Sequence, residues 1–574
     1  MNYSADIKKQ LHHFLSSDFE LKEWSQLEPY FINLSQREIS DLPSLEQFLK
    51  DQSELEAAIS EDACWRQIKM TCDTQNKELE ASFNYFCLEI QPKIQPYADA
   101  LNKKLMASPA LHLLDESKYF TYLRGIKKSI DLFREENIPL QSEAAVLQQQ
   151  YGQITGAMTV EVDGNLYTLQ QAAKFLLHAD RKVRESVYHQ IQQRRLQDKE
   201  PLNELFDKLL HNRHQTALNA GFSSYTEYRF KELGRFDYTV EDCRQFREAV
   251  KKHVLPLVDD IHKLKRNSLG VDALRPWDLE AEQPGIAPLR PFTTGEELLN
   301  KTIDCFSSLH SFFADCLIKM KEMKHLDLES RMGKAPGGYN CPLAESGAPF
   351  IFMNAAGQMH DVTTMVHEGG HAIHSFLAHP LELNGFKEYP MEIAEVASMS
   401  MELFTMDHWQ VFFENPEELR RARLHQLERV ITIFPWIAVI DEFQHWLYAN
   451  PHQTHDERTQ AWVKILSNYQ DSIVDYSGLE TYRSNAWQRQ LHLFEVPFYY
   501  IEYGIAQLGA IGMWMQYKQN PTVSLQNYCN ALSKGGTLTL PQLFTTAGLE
   551  FDFSPEKISQ LMQFVKSEIE KLAN

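Results

Sequence analysis

The sequence is short of the residues that mark disulfide-rich, fibrous and low-complexity chains. Its 574 residues include only 8 cysteines, 24 glycines and 24 prolines. The cysteines are scattered without CxxC spacing, which excludes a disulfide framework and a cysteine-based zinc site. Unpaired cysteines are usual in a reducing compartment, so we expect a cytoplasmic protein. The sequence has no low-complexity run and no fixed-period repeat.

Long hydrophobic runs and clusters of positive charge are also missing. No window approaches 18 consecutive apolar residues, so no membrane-spanning helix is predicted. The N-terminal segment lacks the apolar core of a secretory signal, which again favours the cytoplasm. The formal net charge is −21 and lysine and arginine form no dense cluster, so we expect no nucleic-acid-binding surface. Nothing in the sequence indicates an obligate protein partner.

The periodicity of apolar residues predicts a mainly helical protein. Most of the first 150 residues, and the chain from residue 361 onward, carry apolar positions three and four apart. The segment 154–169 instead alternates with period two around Asp163-Gly164, which predicts a β-hairpin. Residues 349–353 have the pattern of one further short strand.

One stretch, TTMVHEGGHAIHSFLAHP at residues 363–380, carries the clearest chemical signal. His367 and His371 are four positions apart, so on a helix both imidazoles lie on one face and can bind one metal ion. Glu368 is rotated by about 100° and can act on a ligand at the open position of that metal. This H-E-x-x-H pattern is typical of zinc peptidases, in which the glutamate is the general base.

The two glycines of this stretch are unusual inside a helix. Gly369 and Gly370 each cost about 1 kcal/mol relative to alanine. Glycine there permits close approach of another backbone. We therefore expect either a tightly packed helix or a substrate beside the metal.

A third metal ligand is expected from the next predicted helix. Catalytic zinc commonly has three protein ligands and one open position. The helix that Pro390 begins carries Glu392, Glu395 and Glu402 near one face. One carboxylate would bind the metal, and another could accept the second ring N–H of a ligand histidine. The spacing alone does not choose among the three.

Six stretches between about residues 330 and 550 occur in a familiar order: GKAPGGY, PFIFMNAAG, TTMVHEGGHAIHSFL, EIAEVASMSMEL, HLFEVPFYYIEYGIAQLGA and LSKGGTLTLPQLFTTAGLEF. As a set they resemble the thimet oligopeptidase and oligoendopeptidase F family of zinc peptidases, especially its shorter bacterial members of the Pz-peptidase kind. The resemblance implies a mainly α, bilobed zincin-type fold with a small β element beside a deep substrate channel. We predict an N-terminal helical domain over residues 1–185 and a catalytic domain over residues 186–574.

The resemblance also implies which residues surround the metal. Glu395 in EVAS matches the third ligand of the family, and Glu402 matches a further carboxylate beside the ligands. Glu392 is the fallback ligand. His360 and His374 approach the metal face, but we interpret both as structural or supporting residues.

Further roles follow from the same resemblance. His492 matches a histidine that precedes tyrosines facing the zinc. Tyr500 and Tyr503 align best with those tyrosines, and Tyr499 is the alternative. The loop matching the family's peptide-binding glycines and tyrosine comprises Gly337, Gly338 and Tyr339. An extended peptide could also add to the edge of the strand that precedes the motif helix.

The implied activity is hydrolysis of internal bonds in short, unstructured oligopeptides, with one Zn²⁺ per chain. One alternative is a carboxypeptidase or dipeptidyl carboxypeptidase of related fold, for which Arg483 and Arg489 are candidate ligands of a free C-terminal carboxylate. Another is a non-catalytic peptide-binding protein with a closed zinc site and His374 as fourth ligand. Glu368 argues against this last alternative, because it has no use in a closed site.

Overall fold

The computed structural model describes residues 3–7 and 11–573. Helices of the N-terminal part are α1 (Trp24–Gln36), α2 (Leu42–Cys72), α3 (Lys77–Tyr85), α4 (Gln91–Met106), α5 (Glu116–Leu132), α6 (Asn137–Gly156), α7 (Leu169–Ala172), α8 (Arg181–Gln197), α9 (Lys199–Asn219), α10 (Tyr225–Glu232), α11 (Val240–His253), α12 (Leu255–Leu269), α13 (Gly295–Leu309) and α14 (Ser311–Met323).

Helices of the C-terminal part are α15 (Met359–Ala378), α16 (Met391–Phe404), α17 (Pro416–Ala449), α18 (His455–Asn468), α19 (Glu480–Ser484), α20 (Leu491–Glu495), α21 (Tyr500–Gln519), α22 (Pro521–Leu532), α23 (Leu540–Thr546) and α24 (Pro555–Ala573). A π-helical turn spans Phe86–Ile90, and 3₁₀ turns span Leu111–Leu113, Ala173–Leu177, Pro276–Asp278, Asn384–Phe386, Thr405–Val411 and Ala486–Arg489. The predicted mainly helical fold is confirmed.

The predicted hairpin is present. Strands β1 (Thr159–Val162) and β2 (Asn165–Thr168) pair antiparallel, with Val162 opposite Asn165. Asp163 and Gly164 between them have φ values of 51° and 76°. Two consecutive positive φ angles are the requirement of a tight hairpin turn, and Asp-Gly is a pair that adopts them readily.

A second sheet has three short strands, β3 (Leu326–Glu329), β4 (Tyr339–Cys341) and β5 (Phe350–Ala355). Their order is β3-β5-β4, with β5 parallel to β3 and antiparallel to β4. The strand predicted at residues 349–353 is therefore β5, and it is central in the sheet. Our expectation that a peptide adds to the edge of this strand is wrong, because both of its edges are already paired. The edge nearest the motif is β4.

The buried apolar residues form two principal cores. The smaller core contains residues from Leu15 to Tyr119 together with Leu383 and Phe386. The larger core contains residues from Leu132 to Val565. The N-terminal helices thus pack as a separate lobe, although the predicted boundary at residue 185 stays a prediction.

A deep cavity of about 1110 Å³ lies between the lobes. Residues of α2, such as Ser60 and Gln67, line one wall, and residues of α15, α16 and the loop before α21 line the other. Across the described ranges 3–7 and 11–573, no helix combines the length and apolar character needed to cross a bilayer.

Candidate metal centre and catalytic site

The motif helix α15 begins directly after the three-stranded sheet. The Asp361 carboxylate accepts hydrogen bonds from the backbone N–H groups of Gln358 and Ala356, each at 2.8 Å. It thereby satisfies donors at the helix N-terminus and complements the helix dipole there. His367 and His371 follow on one face, with their ring centroids 4.9 Å apart. The predicted pairing of the two imidazoles is present.

Gly369 and Gly370 allow neighbouring helices to approach α15. A Cβ atom on Gly369 would lie 2.6 Å from the Phe306 ring of α13. A Cβ atom on Gly370 would lie 2.6 Å from Ser398 Cα and 2.7 Å from the Ala397 carbonyl oxygen of α16. Such distances are far inside van der Waals contact. The two glycines therefore have a packing role, and Gly370 brings the helix with the third carboxylate against the histidines.

Three potential ligand atoms converge where α15 and α16 meet. Glu395 Oε2 lies 3.3 Å from His367 Nε2 and 3.5 Å from His371 Nε2. The three donor atoms all lie within 4.8 Å of one another. Two imidazole nitrogens and one carboxylate oxygen are a donor set typical of catalytic zinc. Of the three glutamates left open by the spacing, Glu395 is the one with an oxygen near the Nε2 atoms of both histidines.

The electrostatics of this cluster favour a bound cation. Burial disfavours the ionised form of Glu395, yet His371 and His367 hold its pKa well below the usual range. Burial likewise disfavours charged His367, yet Glu395 and Glu402 raise its pKa well above the usual range. Buried carboxylates of this kind need a positive partner. A divalent metal ion would supply that charge while the imidazoles stay neutral.

Glu402 and Glu392 have separate positions on α16. Glu402 Oε1 lies 2.7 Å from His367 Nδ1, and Glu402 Oε2 accepts a hydrogen bond from Gln426 Nε2 at 2.8 Å. The contact leaves Nε2 of His367 as the ligand atom. Glu392 instead accepts a hydrogen bond from the Tyr238 hydroxyl at 2.6 Å. The prediction of Glu392 as a fallback ligand is therefore wrong, because its carboxylate is bound by Tyr238 and is not among the three converging ligand atoms.

Glu368 is buried with one oxygen unused. Its Oε2 atom has no hydrogen-bond partner among the described residues, and the side chain lines the cavity. Burial raises the pKa of Glu368 above its usual value. An unpartnered buried carboxylate oxygen is costly unless a ligand or water satisfies it. Its position beside the ligand atoms suits proton transfer.

His492 and Tyr503 form a hydrogen-bonded pair on the cavity wall. His492 Nε2 lies 3.1 Å from the Tyr503 hydroxyl, and His492 Nδ1 lies 2.7 Å from Gln490 Nε2. Burial lowers the pKa of His492 to about 4, so the imidazole is neutral at pH 7. An amide nitrogen can only donate, so Nδ1 accepts and the single ring proton is on Nε2. His492 then donates to Tyr503, and the hydroxyl proton of Tyr503 is free to point into the cavity.

The other two tyrosines differ in their surroundings. The Tyr499 hydroxyl donates to Glu395 Oε1 at 2.5 Å and thus supports the third ligand. Tyr500 is buried and does not belong to the cavity lining. Its ring packs edge-on against His492, with centroids 4.9 Å apart. The role predicted for Tyr500 stays a prediction, but the geometry favours Tyr503 as the donor.

The backbone before Tyr499 is strained. Phe498 is fully buried and has a φ of 66°, which is rare for an aromatic residue. Its N–H donates to Gln444, and its carbonyl accepts from Arg235. Strain of this kind costs about 1–3 kcal/mol and persists where surrounding contacts impose it. Here it turns the chain so that Tyr499 reaches Glu395.

The predicted peptide-contacting loop lines the cavity. Gly337 has a φ of 97°, which favours glycine. A Cβ atom on Gly338 would lie 3.3 Å from the Phe352 carbonyl oxygen and 3.6 Å from Glu368 Oε1. Tyr339 stacks on the Phe352 ring at 4.8 Å. The loop thus places a glycine backbone beside the candidate base and against the carbonyl oxygen of Phe352.

The two remaining histidines near the motif lie away from the ligand atoms. The His374 ring is fully buried and stacks on Tyr389 with centroids 3.5 Å apart. His360 Nδ1 contacts the Arg429 guanidinium. Neither belongs to the cluster of three donor atoms, so the geometry agrees with supporting roles and places no fourth ligand there from the residues that the structure describes.

Sequence reasoning missed two residues of the site. Gln426 of α17 holds Glu402, and Gln490 orients His492. Glutamine has no spacing signal of its own. Only its two-residue distance from His492 could have drawn attention to Gln490.

Residues 175–563 match peptidase family M3, and residues 14–133 match the N-terminal domain of M3 peptidases. The first match alone covers more than half of the chain.

Individual relatives agree with this match. The oligoendopeptidase F homolog of Borreliella burgdorferi is 18% identical over 503 residues, which cover 82% of this chain and 81% of that protein. Oligopeptidase PepF of Bacillus subtilis is 23% identical over 337 residues, which cover 57% of this chain and 48% of that protein. The solved structure of Pz peptidase A with an inhibitor has a TM-score of 0.92 and 25% identity, over 97% of this chain and 99% of that one. The chain belongs to peptidase family M3.

Proposed function

We propose that this M3 peptidase is a zinc-dependent endopeptidase that cleaves internal bonds of short, unstructured oligopeptides. One observation carries the proposal. His367, His371 and Glu395 direct three ligand atoms to one point, and the unpartnered Glu368 oxygen lies beside them on the wall of a deep cavity. The donor set fits one Zn²⁺ per chain with an open position.

Each residue has a separate task in this proposal. His367, His371 and Glu395 would hold the ion, which when bound lowers the pKa of water and polarises the scissile carbonyl. Glu368 accepts the proton of the attacking water and passes it to the leaving amine. Tyr503 donates a hydrogen bond from its hydroxyl to the oxyanion and keeps its proton, and neutral His492 fixes the direction of that hydroxyl. Tyr499 holds Glu395 through its hydroxyl.

The cavity supports peptides as the substrate class. Its wall includes the loop Gly337–Tyr339 and strand β4, whose outer edge is not paired within the described sheet. An extended chain can bind such an edge through main-chain hydrogen bonds, largely independent of its side chains. A cavity enclosed by two lobes admits unfolded segments more easily than folded domains.

Cleavage of end-blocked peptides tests the proposal directly. Peptides with an acetylated N-terminus and an amidated C-terminus should be cut internally by zinc-loaded protein, as mass spectrometry of the products would record. Removal of metal with a chelator should abolish cleavage, and added zinc should restore it. Glu368→Gln should retain one zinc per chain by elemental analysis while losing cleavage. Undiminished cleavage by metal-free protein would refute the proposal.

A further inference from the structure

Two arginines from distant parts of the chain line the cavity together. Arg195 is near the end of α8, and Arg489 is the last residue of the 3₁₀ turn that precedes α20. Burial, followed by the positive charge of Arg489, lowers the pKa of Arg195 to about 10. The Arg195 guanidinium therefore remains charged at neutral pH, and the positive charge of Arg489 acts on it.

Neither guanidinium group has a recorded acceptor. Within residues 3–7 and 11–573, no hydrogen bond or ion pair joins the side chain of Arg195 or Arg489 to a protein acceptor. Their neighbours differ: Arg194 pairs with Asp198, and Arg483 donates to Gln470 Oε1 at 2.6 Å. Arg195 is half-buried and Arg489 is exposed in the cavity, so their guanidinium N–H groups are accessible to an anionic ligand.

An aromatic ring contacts one of the two guanidinium groups without neutralising it. The Arg489 guanidinium lies 4.7 Å from the centroid of the Trp436 ring. Such contacts orient an arginine and leave its N–H groups available.

One acidic residue of the cavity wall does not neutralise the two arginines. Glu495 lines the same cavity. Burial raises its pKa to about 8, so this carboxyl is largely protonated at neutral pH. Glu495 therefore does not neutralise the two arginines at neutral pH.

We propose that Arg195 and Arg489 form a subsite that binds a carboxylate of the peptide substrate. The carboxylate is either the free C-terminus or the side chain of an aspartate or glutamate. Planar guanidinium groups match carboxylates through paired hydrogen bonds. Arg489 is three residues before His492 and on the same cavity wall, so a carboxylate held there fixes which bond reaches Glu368. The inference rests on the proposed peptidase function and adds to it a determinant of the cleavage position.

Matched peptide pairs test this subsite. One pair differs only in a free or amidated C-terminus, and the other only in aspartate or asparagine at one internal position. The wild-type protein should cleave the carboxylate form of at least one pair with a kcat/KM about 10- to 100-fold higher, as expected for a charged hydrogen bond. Arg195→Gln and Arg489→Gln should lower that ratio to about 1 by raising KM, without slowing cleavage of the uncharged form. Arg195→Lys should restore part of the preference for the carboxylate form.

Two controls separate this result from other causes. Arg290→Gln removes one exposed arginine outside the cavity lining, and it should leave the ratio unchanged. In a Glu368→Gln background, titration calorimetry should show tighter binding of the carboxylate peptide, with the difference lost when Arg489 is also replaced. The calorimetry needs no hydrolysis.

The outcomes also separate the two proposals. Equal cleavage of both members in both pairs by the wild-type protein would overturn the subsite and leave the peptidase proposal intact. Variants that slow both members equally would likewise overturn it. Cleavage of no peptide by zinc-loaded protein, with the calorimetric preference retained, would overturn the peptidase proposal alone. The pair that responds identifies the C-terminus or an acidic side chain as the source of the carboxylate.

Discussion

The Nδ1 atom of His367 lies 2.7 Å from Oε1 of Glu402, so a ligand histidine of α15 is held by a carboxylate of α16. Glu402 is in turn held by Gln426 of α17. The orientation of the imidazole therefore depends on three helices at once. Contacts of this kind typically change metal affinity by about 10- to 100-fold when removed.

Replacement of Glu402 should weaken metal binding. We expect Glu402→Ala to lower zinc affinity by about 10- to 100-fold, because His367 loses the partner that orients it. Glu402→Gln, which keeps an acceptor oxygen, should have a smaller effect. Competition with a chromophoric chelator measures both. Glu392→Gln is the matched control on the same helix and should leave zinc affinity unchanged; equal losses in all three variants would contradict the assigned role.

Gly370→Ala should separate two helices. The added Cβ would lie 2.6 Å from Ser398 Cα and 2.7 Å from the Ala397 carbonyl oxygen, and backbone cannot yield as a side chain does. We expect the free energy of unfolding to fall by about 1–3 kcal/mol, with weaker zinc binding because Glu395 moves away from the histidines. Denaturant titration and chelator competition measure the two effects.

Gly125→Ala in α5 provides the control for this substitution. A Cβ atom there meets nothing within 4 Å. The variant should be as stable as the wild type or more stable by up to about 1 kcal/mol. If Gly370→Ala behaved in the same way, the close packing of α15 on α16 would not be required.

The three tyrosines near His492 should respond differently to loss of the hydroxyl. Tyr503→Phe should lower kcat about 100- to 1000-fold with little change in zinc affinity, because it removes an oxyanion donor. Tyr499→Phe should lower zinc affinity, because Glu395 loses the donor that holds Oε1. Tyr500→Phe should change kcat by less than about 10-fold. A larger loss in Tyr500→Phe than in Tyr503→Phe would reverse the assignment.

His492 should act as a neutral group throughout the working pH range. Burial lowers its pKa to about 4, so above about pH 5 it carries no charge. We expect His492→Gln to lower kcat, because Tyr503 loses its partner, without moving the limbs of the pH profile between pH 5 and 9. A limb that disappears in this variant would show that His492 titrates in that range.

The stability of the protein should depend on pH through Glu495. Burial raises its folded-state pKa from 4.5 to about 8, so between these values the folded state binds more protons than the unfolded state. The stability associated with Glu495 is therefore present below about pH 4.5 and is lost as pH rises to about 8. Relative to the wild type, Glu495→Gln should raise the free energy of unfolding at pH 8.5 by about 1 kcal/mol or more beyond any change that it causes at pH 4.5. Denaturant titration of both proteins at both pH values measures this, and an effect of the substitution that did not depend on pH would contradict the prediction.

Much of the local structure could be predicted from the sequence. The spacing of His367 and His371 required one helix face, and Asp163-Gly164 required a tight turn; both features are present. The family resemblance is confirmed by the match to peptidase family M3. Each of these depends on residues within a few positions or on a pattern of short motifs.

The predictions that failed or stayed open depend on residues far apart in the chain. Spacing along α16 could not separate Glu395 from Glu392, because the choice depends on Tyr238 holding one of them. The strand before the motif was recognised, but its central position in the sheet depends on pairing with two other strands. No local pattern contains such information.

The sequence by itself determined the helical periodicity, the paired histidines with their glutamate, and the turns that glycine permits, because these follow from backbone geometry over a few residues. Only the tertiary structure decided which carboxylate lies near the Nε2 atoms of both histidines, which tyrosines line the cavity, and that Arg195 and Arg489 line the same cavity. Such choices depend on how helices pack, since the relative position of residues almost 300 positions apart is set by the shapes of all the surfaces between them.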